Sequence, residues 1–164
     1  MLFRIIRTAI SAVILILIGY YFGVRGVRFY KVISESMLPT LEVGDYLMGQ
    51  KPENLKYGDI IILDDPMDKS GTIIKRLVGL EGDLIEIRND GYLYRDRERI
   101  SEPYIKEKPV YTVEPVKIGP GEVYVLGDNR NNSADSSVWG PVPVETIRTK
   151  IFMRYWPIKR FKIF

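Results

Sequence analysis

The 164-residue sequence contains no histidine and no cysteine. Without histidine the chain lacks the commonest general base of enzymes, and without cysteine it has neither a thiol nucleophile nor a disulfide bond. Most zinc sites are built from these two residue types and are excluded with them. Any catalysis must therefore use other groups, and we expect no metal and no other cofactor.

Positive and negative residues are nearly equal in number, with 24 Lys and Arg against 21 Asp and Glu, which gives a net charge of +3. The basic residues are scattered along the chain and form no stripe, so we do not expect nucleic acid to be a partner. The length suits one compact domain with a short additional element and is too small for two full domains.

One long apolar run, IIRTAISAVILILIGYYFGV, occupies residues 5–24. A helix of about 20 residues is about 30 Å long, enough to cross the hydrocarbon core of a bilayer. Tyr20, Tyr21 and Phe22 lie at one end, where aromatic rings favour the membrane interface. The run predicts a single spanning helix within an amino-terminal anchor of residues 1–31. A cleaved signal peptide is the alternative, but its apolar region would be shorter and a small-x-small site should follow, whereas GVRGVRFYK follows here.

Two further features concern the membrane. Basic residues are nearly even in number on the two sides of the apolar run, so charge does not determine the orientation of the helix. The carboxyl end, RYWPIKRFKIF, interleaves aromatic and basic residues in a pattern typical of a membrane surface. A last strand followed by a solvated tail is an equal alternative for that end.

Beyond the anchor, short apolar runs alternate with turn residues. The runs are DYLMGQ, GDIIILDD, GTIIKRLVG, DLIEIRNDGYLYRD, GEVYVLGDN and ETIRTKIFMRYW. Such runs, bounded by glycine and aspartate, predict β-strands, and Asn-Asp-Gly at residues 89–91 predicts a tight hairpin. We therefore expect one all-β domain over residues 32–164.

A serine and a lysine stand out as candidate catalytic groups. In the absence of histidine, a serine nucleophile can use a lysine that burial keeps neutral. Ser36 lies in the loop-forming segment SESMLPTL, and strand alternation places Ile73, Lys75 and Leu77 on one face, an inward direction that is unusual for lysine. Burial would have to lower the lysine pKa by about two to three pH units, roughly 3 to 4 kcal/mol. Two solvated side chains without a catalytic role are the alternative.

Four segments, in one order, resemble the sequence boxes of type I signal peptidases. They are SESMLPTL (34–41), GDIIIL (58–63), KRLVGLEGD (75–83) and GDNRNNSADSSVWG (127–140), and the last is long enough to make the resemblance specific. The resemblance implies a serine endopeptidase of the signal peptidase/repressor-type β fold. Such an enzyme removes signal peptides from exported preproteins at the lipid bilayer. It cuts after small residues at positions −1 and −3, through a Ser-Lys dyad and an acyl-enzyme.

The resemblance also implies individual roles. Ser36 would be the nucleophile and Lys75 its general base, while the Ser34 hydroxyl would join the oxyanion hole and Ser133 would orient the lysine amine. A loop hydroxyl bonded to nearby backbone is the alternative for Ser34. The supporting polar network would comprise Arg76, Asp128, Arg130 and Asp135. Candidates for the apolar substrate pockets are Val32, Met37 and Ile74, for which ordinary core packing is the alternative.

By the same resemblance, the protein is expected in the cell membrane as a single-pass protein, with its catalytic domain on the extracytoplasmic side. Three positions depart from the family pattern. Glu35 stands where glycine is frequent in the family, and Glu81 replaces a proline. Ser137 stands where the family often has an arginine directly after the Asp-Ser pair. The last departure weakens the case for an ion pair to Asp135, and none touches the proposed nucleophile or base.

Two other functions fit part of the sequence. A self-cleaving regulator of the repressor type shares the Ser-Lys chemistry, but it would carry a DNA-binding helix-turn-helix in place of the apolar segment. A membrane-anchored β module that binds exported proteins without cutting them is the non-enzymatic alternative. The presence of both Ser36 and Lys75 argues against that module.

Overall fold

The computed structural model describes residues 2–68 and 70–164. Its first element is helix α1, Leu2–Arg25, which contains the predicted spanning run. The segment Phe3–Val24 has a mean hydropathy of 2.0, and its best window is not buried against the rest of the protein. The helix is therefore long and apolar enough to be a candidate membrane span.

The remainder of the described chain is mostly β-sheet, as the sequence predicts. The strands are β1 (Arg28–Lys31), β2 (Tyr46–Gln50), β3 (Ile60–Asp64), β4 (Thr72–Gly79), β5 (Leu84–Ile87), β6 (Leu93–Arg95), β7 (Glu98–Arg99), β8 (Val113–Lys117), β9 (Glu122–Leu126), β10 (Val142–Pro143), β11 (Ile147–Trp156) and β12 (Lys162–Ile163). Between β9 and β10 lie a 3₁₀ turn, Arg130–Asn132, and the short helix α2, Ser136–Trp139. Two more 3₁₀ turns, Val144–Thr146 and Ile158–Arg160, flank β11.

The strands form two antiparallel sheets. The larger has the order β1-β2-β11-β3-β4-β9-β10, with β12 also pairing with β11, and the smaller has the order β7-β6-β5-β8. All six predicted apolar runs contain strands. The Asn-Asp-Gly hairpin is confirmed too, because Ile87 pairs with Leu93 and Gly91 has a φ of 72°.

Some strands gave no clear signal in the sequence. β1 lies on the anchor side of the division expected at residue 31, yet its Arg28 pairs with Gly49 of β2. At the carboxyl end, β12 pairs with β11 while Trp156, Phe161 and Phe164 remain exposed. The carboxyl end is therefore attached to the larger sheet through β12, and these three aromatic rings face solvent.

The larger sheet carries buried side chains on both faces. Ile60 and Ile62 of β3 belong to one core cluster with Met37, whereas Ile61 and Leu63 belong to another. A strand buried on both faces accounts for the unbroken apolar run IIIL, which shows no polar alternation. Because β4 lies beside β3, any residue in its centre is also shielded from water.

Candidate active site

Ser36 lies in the loop between β1 and β2 and is 8% exposed. The next residue, Met37, and Leu41 are buried in the core cluster beneath the loop. From the end of β9, the Asn129 main-chain N–H donates to the Ser36 carbonyl oxygen at 2.9 Å, and its side-chain amide donates to the Glu35 carbonyl oxygen at 3.1 Å. The position of the serine is thus fixed by the packing of its loop against the core and by the hydrogen bonds from Asn129.

Lys75 lies in the middle of β4, opposite Ile61 of β3, and is only 3% exposed. Its neighbours Ile73 and Leu77 both pack against the second core cluster, which confirms the inward face predicted from strand alternation. Within residues 2–68 and 70–164, the Lys75 amine makes no hydrogen bond and no ion pair.

The pKa of Lys75 is lowered from that of a free lysine. Burial is the dominant cause, because it disfavours the charged ammonium, while the nearby carboxylates of Asp135 and Asp65 act in the opposite direction. Desolvation outweighs both charges. The amine is therefore neutral in a larger fraction of molecules at neutral pH than an exposed lysine, as a general base requires.

Ser34, Ser36, Lys75 and Ser133 line one cleft of about 310 Å³. Ser34 and Ser36 are in hydrogen-bond contact through their hydroxyl oxygens, 3.3 Å apart. The structure thus brings together all four side chains that the sequence suggested for the chemistry, although they come from three distant segments. The cleft also contains side chains that the sequence did not single out for the site: Asp65, Met67, Ile73, Asn132, Ala134 and Trp139.

The Ser133 side chain and the Ser36 carbonyl oxygen both lie close to Gly127. A Cβ atom on Gly127 would collide with the Ser133 hydroxyl oxygen and would lie 2.6 Å from the Ser36 carbonyl oxygen. Only glycine allows this approach, because the carbonyl belongs to the backbone and cannot rotate away. The Ser133 hydroxyl is buried and has no hydrogen-bond partner among the described residues.

The predicted network residues divide into separate pairs. Arg76 makes a two-pronged ion pair with Asp128, with Nε to Oδ1 at 2.8 Å and Nη2 to Oδ2 at 2.6 Å. Arg130 makes a similar pair with Glu102, at 2.9 and 2.5 Å, and donates through Nε to the Gly127 carbonyl oxygen at 3.0 Å. The sequence did not indicate Glu102, because its partner lies 28 residues away along the chain.

Asp135 binds main-chain and hydroxyl groups. Its carboxylate accepts hydrogen bonds from the Gly127 N–H at 2.9 Å and from the N–H and hydroxyl of Ser137 at 3.1 and 2.7 Å. The Asp135 carboxylate thus caps the N-terminus of α2, and Ser137, where the family often has arginine, donates two hydrogen bonds to it. A second departure, Glu81, accepts from the Gly121 N–H at 2.9 Å. Glu35 projects into the cleft with the catalytic candidates.

The three candidate pocket residues lie beside the cleft and not among its lining side chains. Val32 and Met37 are 2% and 1% exposed within the core cluster below Ser36, and Ile74 packs against the same cluster. Their contact with a substrate stays a prediction. In the structure the apolar surface of the cleft comes from Met67, Ile73 and Trp139.

Comparison with known proteins extends these observations. A family model described as signal peptidase, peptidase S26, matches residues 2–156. A probable signal peptidase I-1 of Synechocystis sp. is 40% identical over 139 residues, covering 78% of this chain and 70% of the relative. Signal peptidase IB of Staphylococcus aureus is 31% identical over 180 residues, covering 96% and 91%. A crystal structure of a signal peptidase I from Enterococcus faecalis has 26% sequence identity and a TM-score of 0.51, covering 60% of this chain and 97% of that one.

A β-rich domain that places a serine and a buried lysine in one cleft, in a chain with these relatives, defines a serine peptidase, a hydrolase. The matched region runs from α1 to the end of β11 and includes every residue of the cleft. The chain belongs to the signal peptidase family, peptidase S26. The resemblance inferred from the four sequence segments is confirmed.

Proposed function

We propose that this chain is a membrane-bound signal peptidase I that removes N-terminal signal peptides from exported preproteins, cutting after small residues at −1 and −3. The observation that carries the proposal is Lys75, which is buried, unpaired within the described chain and in the same cleft as Ser36. Its relatives supply the substrate class, since they are named signal peptidase I.

The proposed chemistry is acyl transfer. The neutral Lys75 amine takes the Ser36 proton as the serine oxygen attacks the scissile carbonyl carbon, which gives a tetrahedral intermediate. The resulting ammonium protonates the leaving amine, and an ester to Ser36 remains. Lys75, neutral again, then removes a proton from water, which attacks the ester, releases the signal peptide and restores the serine.

The groups that we assign to the developing oxyanion are the Ser34 hydroxyl and the Ser36 main-chain N–H. The Ser34 hydroxyl oxygen lies 3.3 Å from that of Ser36. The Ser36 N–H makes no hydrogen bond within the described residues, so it can donate to a substrate oxygen. We assign to Ser133, whose buried hydroxyl also lacks a partner there, the role of orienting the Lys75 amine once substrate is bound. Two donors for the oxyanion and a neutral base are what this mechanism requires.

The membrane arrangement follows from the short connection between helix and cleft. Helix α1 ends at Arg25 and β1 begins at Arg28, so Ser36 lies at most about 40 Å of extended chain from the helix. We propose an anchor over residues 1–31 and a peptidase domain over residues 32–164, with β1 attaching one to the other. The domain would face the extracytoplasmic side, where the cleavage site of a membrane-embedded signal peptide emerges.

The test uses the full-length protein in detergent with a precursor that carries an Ala-x-Ala site. The wild type should cut after the second alanine, as mass spectrometry of the products shows. Ser36→Ala and Lys75→Ala should each lose at least about 10³-fold in kcat/KM, because they remove the nucleophile and the base. Ser101→Ala, in an exposed loop, is the matched control and should retain full activity. A wild type that binds the precursor without cutting it would support the binding-module alternative.

A further inference from the structure

A second cavity, of about 480 Å³, adjoins the catalytic cleft. The two share Asp65 and Trp139 as lining residues, so they are direct neighbours. We call the second cavity the Trp139 pocket. Its volume is within the range of about 300–1,000 Å³ that is usual for ligand sites.

Three prolines line the Trp139 pocket: Pro66, Pro141 and Pro143. Val142, between the last two, is buried in the second core cluster. Proline has a fixed φ, and Gly140, at φ 82°, turns the chain sharply from the end of α2 into β10. The prolines limit the backbone freedom that a ligand would have to remove, which lowers the entropy lost on binding.

The chemistry of the pocket favours an apolar occupant. Asp64 is already paired with Arg148, at 2.8 and 2.5 Å, and one Asp65 oxygen accepts the Met67 N–H at 2.8 Å. Both carboxylates thus have partners within the protein, and the other lining side chains, apart from Thr146, are apolar. Burying an apolar side chain against this lining is favourable, whereas burying a charge there is not.

Trp139 supplies a second, independent indication of a ligand. Its indole N–H is buried and has no acceptor among the described residues, although its ring packs against the second core cluster. Buried indole N–H groups usually have a hydrogen-bond partner. A peptide that lies in the cleft carries main-chain carbonyl oxygens, which are acceptors of the kind that this group lacks.

We propose that the Trp139 pocket is a subsite for one apolar side chain of the substrate, at a position other than the small residues at −1 and −3. The occupant is the substrate chain itself, because the pocket shares two lining residues, Asp65 and Trp139, with the cleft in which the scissile bond would lie. This inference rests on the proposed function. It adds a specificity determinant that does not take part in the chemistry.

The test compares peptides that differ at one position. In a reference peptide with an Ala-x-Ala site and glycine at −2 and at +1 to +4, each glycine is replaced in turn by leucine. The wild type should cut one leucine peptide about tenfold better in kcat/KM than the reference, a difference of about 1.4 kcal/mol. Thr146→Trp, which fills the pocket from its lining, should remove that preference, so that the leucine peptide and the reference peptide are cut with the same kcat/KM. Thr112→Trp, on an exposed loop before β8, is the matched control and should keep the preference.

A measurement of peptide binding tests the Trp139 pocket independently of catalysis. The chain has two tryptophans, and Trp156 is 51% exposed, so the variant Ser36→Ala with Trp156→Phe reports on Trp139 alone. The preferred leucine peptide should shift the Trp139 emission, and the glycine reference should shift it less.

The outcomes separate the two proposals. If the wild type cuts every peptide at the same rate, or if the preference survives Thr146→Trp, the proposed function stands and the subsite is wrong. If the wild type cuts no peptide, the proposed function fails and the subsite fails with it.

Discussion

Asn129 holds Ser36 by its main chain, with the Asn129 N–H donating to the Ser36 carbonyl oxygen at 2.9 Å. The bond attaches the loop after β1 to the segment after β9, although 93 residues separate the two. Gly127, two residues before Asn129, is the point at which Ser36 and Ser133 both approach the backbone. The position of the candidate nucleophile therefore depends on the geometry of this distant segment.

Gly127→Ala should disrupt the site. The added methyl group has no room between the Ser133 hydroxyl and the Ser36 carbonyl oxygen, so the two segments must separate. We expect kcat/KM to fall by about 10²-fold or more and the free energy of unfolding to fall by about 1–3 kcal/mol. Both are measurable in detergent, by peptide cleavage and by chemical denaturation. Gly71→Ala is the control, because its nearest atoms would be 3.5 Å away; equal losses in the two variants would contradict the prediction.

The pH profile should report a base with a pKa below that of an ordinary lysine, since burial lowers the pKa of Lys75. The rate should rise with pH through that pKa. The Asp65 carboxylate raises the pKa, as does that of Asp135, so Asp65→Asn should lower it further and move the rising limb of kcat/KM to lower pH. Asp68→Asn, at an exposed carboxylate outside the cleft, should leave the limb in place. Movement to higher pH in Asp65→Asn would refute the assignment.

Lys75→Met should abolish cleavage and stabilise the fold. At pH 7 the unfolded chain has a protonated, solvated lysine, whereas the folded chain must bury the amine at a lowered pKa. Near pH 10 the amine is increasingly neutral in both states, and the penalty diminishes. The gain in the free energy of unfolding should thus be larger at pH 7 than at pH 10. Denaturation curves at the two pH values test this; a gain that does not depend on pH would contradict it.

Removing one partner of the buried Arg76–Asp128 pair should be costly. Asp128 is 0% exposed, and Asp128→Ala leaves the Arg76 guanidinium without its carboxylate in a region closed to water. We expect a loss of about 3–5 kcal/mol in the free energy of unfolding. Asp64→Ala breaks the pair with Arg148, whose side chain is 54% exposed, and should cost much less because water solvates the remaining charge. Denaturation curves of the two variants give both losses. Similar losses in Asp128→Ala and Asp64→Ala would show that burial does not determine the cost of breaking these ion pairs.

Arg97→Gly should stabilise the hairpin between β6 and β7. Asp96 and Arg97 form its two-residue turn and have φ values of 53° and 70°, a region in which a side chain is strained. Glycine should raise the free energy of unfolding by about 0.5–1 kcal/mol and leave cleavage unchanged, because the turn belongs to the smaller sheet and does not line the cleft. Arg99→Gly, inside β7, should destabilise instead. Destabilisation by Arg97→Gly would show that the Arg97 side chain matters more than the turn.

Much of the architecture was predictable from local sequence. The apolar run of α1 and the alternating runs of the strands follow from periodicity and composition, which act over neighbouring residues. Strand alternation also gave the inward direction of Lys75, and that prediction is confirmed by the packing of Ile73 and Leu77 against one cluster. The short strands β1, β8 and β10 could not be predicted, because partners distant in sequence stabilise them.

The sequence by itself determined the apolar helix, the β character of the domain, and the presence of a serine and an inward lysine in a chain without histidine. The tertiary structure alone decided how they meet: Asn129 fixes the Ser36 loop, Glu102 pairs with Arg130, Val32 and Met37 pack in the core, and Trp139 lines two neighbouring cavities. These relationships join residues that lie far apart along the chain. Only packing of the whole domain brings such residues within hydrogen-bond or van der Waals distance, so no local pattern could reveal them.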